Sequence, residues 1–288
     1  MRIINRRTFM KTSAGAFAAS LMYTGASRAE VKALQATTLR PLGKTGLTTT
    51  LLGMGTGTVS WNKDSAQIRA GKDVFVDTLV HAYDQGLRYF DLADMYGSHP
   101  YMAQAMKKGA MKREELTLLT KTVSKTAEEV QADLDRFLQE VETDYLDIVL
   151  LHCMTEGNWN ETLAPCMEVL AKAKEQGKIR AHGVSCHNLD AMKTAASLDW
   201  TDIMLNRINP YGVKMDGTPE EVTAVLKTAC DNGKGMLGMK ILGEGEIADK
   251  IDASLSFVMG LGCIDSFNIG FLNKSEVDDT IKRVNKAS

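Results

Sequence analysis

The sequence predicts an α/β protein of a single domain, a (β/α)8 TIM barrel. Short apolar runs alternate with longer amphipathic segments after Leu39, there are eight such runs, and the length is right. Strands alternating with helices imply parallel pairing through right-handed crossovers. Without residues 1–29, the 288-residue chain is close to the roughly 250 residues usual for such a barrel. The competing architecture, a doubly wound sheet, needs GxGxxG directly after its first strand and before a helix. Gly53-Met54-Gly55-Thr56-Gly57-Thr58 has its glycines at other spacings and no helical pattern directly behind it.

In chain order, the expected strands begin with Thr50–Met54, Arg88–Asp91 and Leu116–Thr120. Leu146–Leu151, Ile179–Val184, Asp202–Leu205, Gly235–Met239 and Ile264–Ile269 follow. Between them, Phe75–Gln85, Ala127–Glu140, Thr162–Glu175 and Pro219–Asn232 carry helical periodicity. Thr126-Ala127-Glu128-Glu129 and Thr218-Pro219-Glu220-Glu221 each open a helix with a capping hydroxyl and an acidic first turn. Gly86, Gly177 and Gly233 stand where helices end and a left-handed residue is wanted.

Residues 1–29 stand apart from this pattern. Arg2, Arg6, Arg7 and Lys11 make a basic start, Ser13–Tyr23 is moderately apolar, and Gly25–Ala29 supplies small residues for a cleavage before Glu30. The apolar run is shorter than the roughly 20 residues of a membrane helix. Asn5-Arg6-Arg7-Thr8-Phe9-Met10-Lys11 resembles the bacterial twin-arginine export signal. The expectation is a signal peptide over 1–29, a barrel over 30–288, a twin-arginine export machinery as partner, and a periplasmic or otherwise exported product without stable membrane insertion. A net charge of −2 excludes a global basic field, so nucleic acid is not an expected partner. Cys153, Cys166, Cys186, Cys230 and Cys263 show neither metal spacing nor a disulfide framework, and are expected to be free buried thiols.

Chemistry in such a barrel sits at the C-terminal ends of the strands. The polar residues there are Asp91, Lys121, His152 and Ser185, with Tyr96 five positions beyond Asp91. Each alone has an ordinary structural reading: a cap, a surface charge, a core histidine, rim packing. Together they suit proton transfer to a carbonyl oxygen. A lysine cation would stabilise a phenolate and lower the tyrosine's pKa, a carboxylate would hold the lysine, and a histidine would orient the carbonyl.

Leu39-Arg40-Pro41-Leu42-Gly43-Lys44-Thr45-Gly46-Leu47, Phe90-Asp91-Leu92-Ala93-Asp94-Met95-Tyr96-Gly97 and Thr120-Lys121 resemble the aldo-keto reductase family. Thr143-Asp144-Tyr145-Leu146-Asp147 through His152, Gly177–Ser185 and Asn209-Pro210 continue the resemblance in the family's order. It implies a barrel binding NADP(H) or NAD(H) across its mouth and acting on a small carbonyl or alcohol substrate. It also implies Tyr96 as proton donor, Lys121 and Asp91 as its tuning pair, His152 as the carbonyl-orienting residue, and no metal. Gly55, Thr56, Gly57, Asp91, Ser185, Met239, Gly270, Phe271, Asn273 and Lys274 would bind the cofactor. Some positions depart from the family. Cys186 replaces an asparagine, Leu205 a glutamine and Met239 a stacking aromatic, and Glu276 stands where an arginine would meet the 2′-phosphate. The chain's end at Ser288 gives the expectation of an open substrate pocket, or one completed by a partner. A barrel retained only to bind a cofactor or partner is the alternative, but it has no need of all four catalytic-type residues.

Overall fold

The computed structural model describes residues 34–287. The expected export signal lies outside the described residues. A short antiparallel hairpin comes first, β1 (Leu39–Pro41) with β2 (Thr48–Thr50), Leu39 opposite Thr50. Eight strands then close into a barrel: β3 (Leu52–Gly55), β4 (Tyr89–Asp91), β5 (Thr117–Thr122) and β6 (Leu146–Met154), then β7 (Ile179–Cys186), β8 (Ile203–Arg207), β9 (Gly235–Met239) and β10 (Ser266–Gly270). Every pair is parallel, and β10 closes on β3 with Phe267 opposite Leu52.

The helices form the outer ring. They are α1 (Ala66–Arg69), α2 (Lys72–Asp84), α3 (His99–Lys108), α4 (Ala127–Val141) and α5 (Trp159–Thr162), then α6 (Ala164–Glu175), α7 (Leu189–Ser197), α8 (Pro219–Asp231), α9 (Ile251–Gly260) and α10 (Lys274–Ala287). Thr126 and Thr218 each close a reciprocal capping box, with Glu129 and Glu221, at the starts of α4 and α8. The helix expected over Thr162–Glu175 is α6, which begins at Ala164, while Thr162 ends the short α5. Pro165, which tolerates only the first turn of a helix, starts α6 afresh after α5.

Two apolar clusters follow from strand alternation. One lies between strands and helices. The other fills the barrel, with Tyr89, Leu119, Ile148, Leu150, Ile203 and Leu205 among its members. Leu42 and Leu47 of the hairpin belong to that inner cluster and plug the barrel at the end where strands begin. Gly43 makes the plug fit: its φ is +50°, and a Cβ there would stand 2.4 Å from the Gly233 carbonyl oxygen. The sequence had placed Thr50 in the first barrel strand; in the structure its partner is Leu39 of the hairpin. With one end plugged, ligands reach the inner layers from the opposite mouth.

Candidate active site

Strand alternation carries three titratable side chains to that mouth. Asp91 lies two residues beyond Tyr89, Lys121 two beyond Leu119, and His152 two beyond Leu150, so each continues an inward-facing row. Lys121 is fully buried at 0% exposure, and Asp91 and His152 are buried beside it. A buried ammonium is tolerated only when paired and fully hydrogen-bonded. Lys121 meets that condition with all three of its hydrogens: it pairs with Asp91 Oδ1, donates to the Leu92 carbonyl at 2.9 Å, and donates to the Tyr96 hydroxyl at 3.3 Å.

Tyr96 comes from a helical turn (Asp94–Tyr96) after β4. Asp94 ties this turn down, paired with Lys63 at 3.1 Å and Arg136 at 2.7 Å. Against the pull of burial, those bonds hold the Asp94 carboxyl below its ordinary value. Gly57 packs under the Tyr96 ring, where a Cβ would come within 2.4–2.5 Å of ring carbons. Burial, and then the Asp91 charge, raise the Tyr96 pKa well above its ordinary 10. The sequence argument expected the lysine to lower it. In the structure the Lys121 charge is already matched by the carboxylate touching it, so the phenol faces an ion pair rather than a free cation.

The His152 ring meets the Tyr96 ring edge-on at 5.8 Å between centroids. Burial, reinforced by Lys121 and His187, lowers its pKa well below 6.5, so the ring is neutral. Its Nδ1 is buried without a hydrogen bond among the described residues. A neutral imidazole carries one proton, and placing it on Nε2 leaves the buried Nδ1 a lone pair rather than an unpaired donor. One residue on, the pairing of β6 with β7 slips between Leu151 and Met154. Cys153 takes the bulge at φ +62°, and its N–H donates to the Ser185 hydroxyl at 2.9 Å. Ser185 is fully buried, and this bond makes it a support for the bulge. Cys153 Sγ lies 3.4 Å from His187 Nδ1. Cys166, Cys186 and Cys263 are free and buried as expected, whereas Cys153 and Cys230 are only half-buried.

A cleft of about 480 Å³ runs from this mouth to α10. Of the residues expected to bind cofactor, Gly55, Gly57, Asp91, Met239, Gly270 and Phe271 line it. Thr56 does not; it is buried, with its hydroxyl donating to the Asp91 carbonyl at 2.8 Å. Ser185, Asn273 and Lys274 are likewise not among the lining residues. Asn273 caps the start of α10 through the Glu276 N–H at 3.1 Å, and Lys274 lies 4.0 Å from Asp77. The sequence reading missed Asn268, Glu244, Asp279, Thr280 and Arg283 on the wall. Strand alternation back from Gly270 would have found Asn268.

The two ends of the cleft differ in chemistry. Near Tyr96 the cleft is walled by Gly55, Gly57 and Gly270, whose missing side chains let Asn268, Tyr96 and Thr58 pack closely against the strand ends. At α10, Glu276 lines the cleft and accepts from the Leu272 N–H at 2.8 Å and the Asn273 amide at 2.9 Å. Arg283, the cation on this part of the wall, is committed to Asp279 at 2.6 Å and Asp252 at 2.8 Å. Carboxylates suit ribose hydroxyls and oppose a further phosphate. The residues present therefore fit a nicotinamide dinucleotide.

The structure thus joins a closed parallel barrel to an aspartate, lysine, tyrosine and histidine meeting at its mouth, beside a cleft. Residues 52–258 match the aldo/keto reductase family, and the chain belongs to that family, whose members are oxidoreductases using NADP(H) or NAD(H). It is 25% identical over 232 residues to the L-galactose dehydrogenase of Arabidopsis thaliana, a match spanning 74% of this chain and 67% of that protein. It is 28% identical over 178 residues to the NADH-specific methylglyoxal reductase of Escherichia coli, spanning 52% of each chain. Against several curated relatives, then, the match spans about half their length. In fold, it superposes on the holo form of a Bacillus halodurans aldo-keto reductase with a TM-score of 0.70 at 16% identity, covering 86% of this chain and 91% of that one. For a Bombyx mori aldo-keto reductase in complex with NADP the TM-score is 0.65 at 20% identity, covering 88% and 92%.

The contact between Gly57 and Tyr96 gives a prediction. Gly57→Ala should push the tyrosine ring off Lys121 and cut turnover by roughly tenfold or more, since misplaced reacting groups lose rate steeply, while circular dichroism and thermal unfolding stay near wild type. Unchanged turnover in a folded Gly57→Ala would show that the ring has room to spare.

Proposed function

We propose that the protein is an exported NAD(P)H-dependent oxidoreductase that reduces a small aldehyde or ketone to an alcohol, or runs the reverse, with Tyr96 as proton donor. The observation that carries this reading is the hydrogen count at Lys121. Because Lys121 donates to the Tyr96 oxygen, the phenolic hydrogen must point away from the ion pair. It has no acceptor among the described residues, which leaves it for a substrate oxygen in the mouth.

His152, neutral and protonated on Nε2, is a second donor for the same oxygen. Two hydrogen bonds polarise the carbonyl and fix its orientation. The reduced nicotinamide, when bound, supplies the hydride that no side chain can. As the carbonyl carbon gains that hydride, its oxygen takes the Tyr96 proton. The phenolate left behind retains the Lys121 hydrogen bond, and Asp91 keeps the lysine charged in its dry site. In reverse, Tyr96 takes the alcohol proton. The names of the relatives, reductases and a dehydrogenase, are in keeping with either direction.

Export is supported by the twin arginines before Phe9 and the short apolar run behind them. Export of an already folded chain would let the barrel carry its dinucleotide with it.

Three outcomes test this reading. Tyr96→Phe should lose about 10²–10⁴-fold in turnover, the worth of a general acid, with cofactor affinity nearly unchanged by fluorescence titration; near-wild-type turnover would sink the assignment. Replacing Arg6 and Arg7 together with Lys should retain the precursor inside the cell, and fractionation showing normal export would remove the twin-arginine route. For the cofactor, wild type should show little or no preference for NADPH in direct binding. Glu276→Arg should move that preference toward NADPH by roughly 10–100-fold, the worth of one charge-assisted hydrogen bond. A wild-type preference for NADPH above ~100-fold, about 2.7 kcal/mol, would mean that another group holds the phosphate.

A further inference from the structure

Asn268 of β10 is nearly buried, at 7% exposure, and lines the cleft. Its amide nitrogen donates to Asp91 Oδ2 at 3.0 Å and lies 3.4 Å from the Tyr89 hydroxyl. Both partners belong to β4, which is not its neighbour: β3 lies between, paired to each. The amide spans that strand because β3 presents Gly55 there, where a Cβ would stand 3.0 Å from Asn268 Oδ1. The two oxygens of Asp91 therefore have separate partners, Lys121 on Oδ1 and Asn268 on Oδ2.

We propose that Asn268 is a positioning residue for carbonyl reduction: by holding Asp91 Oδ2 it fixes the carboxylate in the plane that keeps Oδ1 on Lys121, so that the lysine's remaining hydrogen stays on the Tyr96 oxygen. The inference rests on the reading of Tyr96 as proton donor. A buried carboxylate has several acceptor sites and needs donors on both oxygens. Among the described residues, Asn268 is the donor to Oδ2. Without it the carboxylate is free to rotate and share the ammonium between its oxygens, moving the lysine off the phenol.

The surroundings of Asp91 make the effect readable in pH. The groups facing it or its partner are Tyr89 on the same strand, Tyr96 from the following turn, Lys121 from β5, and neutral His152 and the Cys153 thiol from β6, while β3 offers only glycine. Burial pushes the Asp91 carboxyl up, and Lys121 and the Asn268 amide draw it back. Removing the amide leaves a carboxylate that takes up a proton at higher pH. Once protonated, it no longer balances the lysine.

The test uses the full chain with saturating NADH and a reducible aldehyde. Asn268→Leu, close in volume but without a donor, should lower kcat by ~10-fold or more and move the acid limb of the kcat–pH profile upward by about one unit or more. KM for the aldehyde and the dissociation constant for NADH should stay within about threefold of wild type. Asn268→Asp, nearly isosteric, donates only while one of the two facing carboxyls is protonated. Its activity relative to wild type should therefore rise toward acid pH, and this variant carries the test alone if Asn268→Leu does not fold. A folded Asn268→Leu with a wild-type pH profile overturns the inference, and so does a loss confined to NADH affinity, which would make Asn268 a cofactor contact. Tyr96→Phe, run alongside, separates the two claims. If it remains active the functional reading itself fails; if it is inactive while the Asn268 variants keep the wild-type profile, only the positioning role fails.

Discussion

The ion pair between Asp91 and Lys121 sets the terms for everything at the barrel mouth. Neither charge has bulk water to fall back on, and breaking such a pair leaves an uncompensated buried charge at a cost of about 3–5 kcal/mol. Around it the chain places donors and acceptors until every demand is met. Leu92 gives a carbonyl, Asn268 an amide, and Tyr96 the last acceptor for the lysine. The tyrosine is thus enlisted first by the electrostatics of the core, and its outward hydrogen is a consequence. A site built in this order is rigid before any substrate arrives, which is what preorganised catalysis requires.

Rigidity is shared between the strands and one turn. Asp91, Lys121 and His152 ride on strands whose inner rows are closed by the hairpin plug, so their heights in the barrel are set by packing. Tyr96 is on a turn and needs its own restraints. Lys63 and Arg136 hold Asp94 from two sides, and the Lys63 N–H donates to the Met95 carbonyl at 2.9 Å. Gly57 then accepts the ring face that any side chain would displace. Reactive groups on loops gain precision only through such ties to the scaffold.

Much of this was legible in the chain itself, for a definite reason. Strand alternation and helix caps are local, so the eight strands, the capping boxes at Thr126 and Thr218, and the inward rows ending in Asp91, Lys121 and His152 follow from spacing alone. What escaped depends on approach between distant segments. Leu42 and Leu47 enter the barrel because a turn at Gly43 meets Gly233, and Asn268 reaches Asp91 only across the gap that Gly55 leaves. The direction of the Tyr96 pKa escaped similarly: spacing names the lysine, but only contact shows that its charge is already matched. The hydrogen bonds of Ser185 to the Cys153 N–H and of Thr56 to the Asp91 carbonyl escaped in the same way, since each joins two different strands or loops.

The cleft changes in charge along its length. At the mouth, Lys121 is paired with Asp91, Lys240 with Glu244 at 2.8 Å, and Arg207 with the buried Asp216, whose carboxylate it holds with Nε at 3.0 Å. That leaves a dry, nearly neutral wall, where hydrogen bonds to a carbonyl oxygen weigh more than they would in water. At α10 the balance reverses. Glu276 and Asp279 line the cleft there, Arg283 pairs with Asp279 and Asp252, and the Glu276 carboxylate accepts from the Leu272 N–H. One end thus gathers hydrogen-bonding side chains around a buried, paired charge, and the other carries more carboxylates than guanidinium groups.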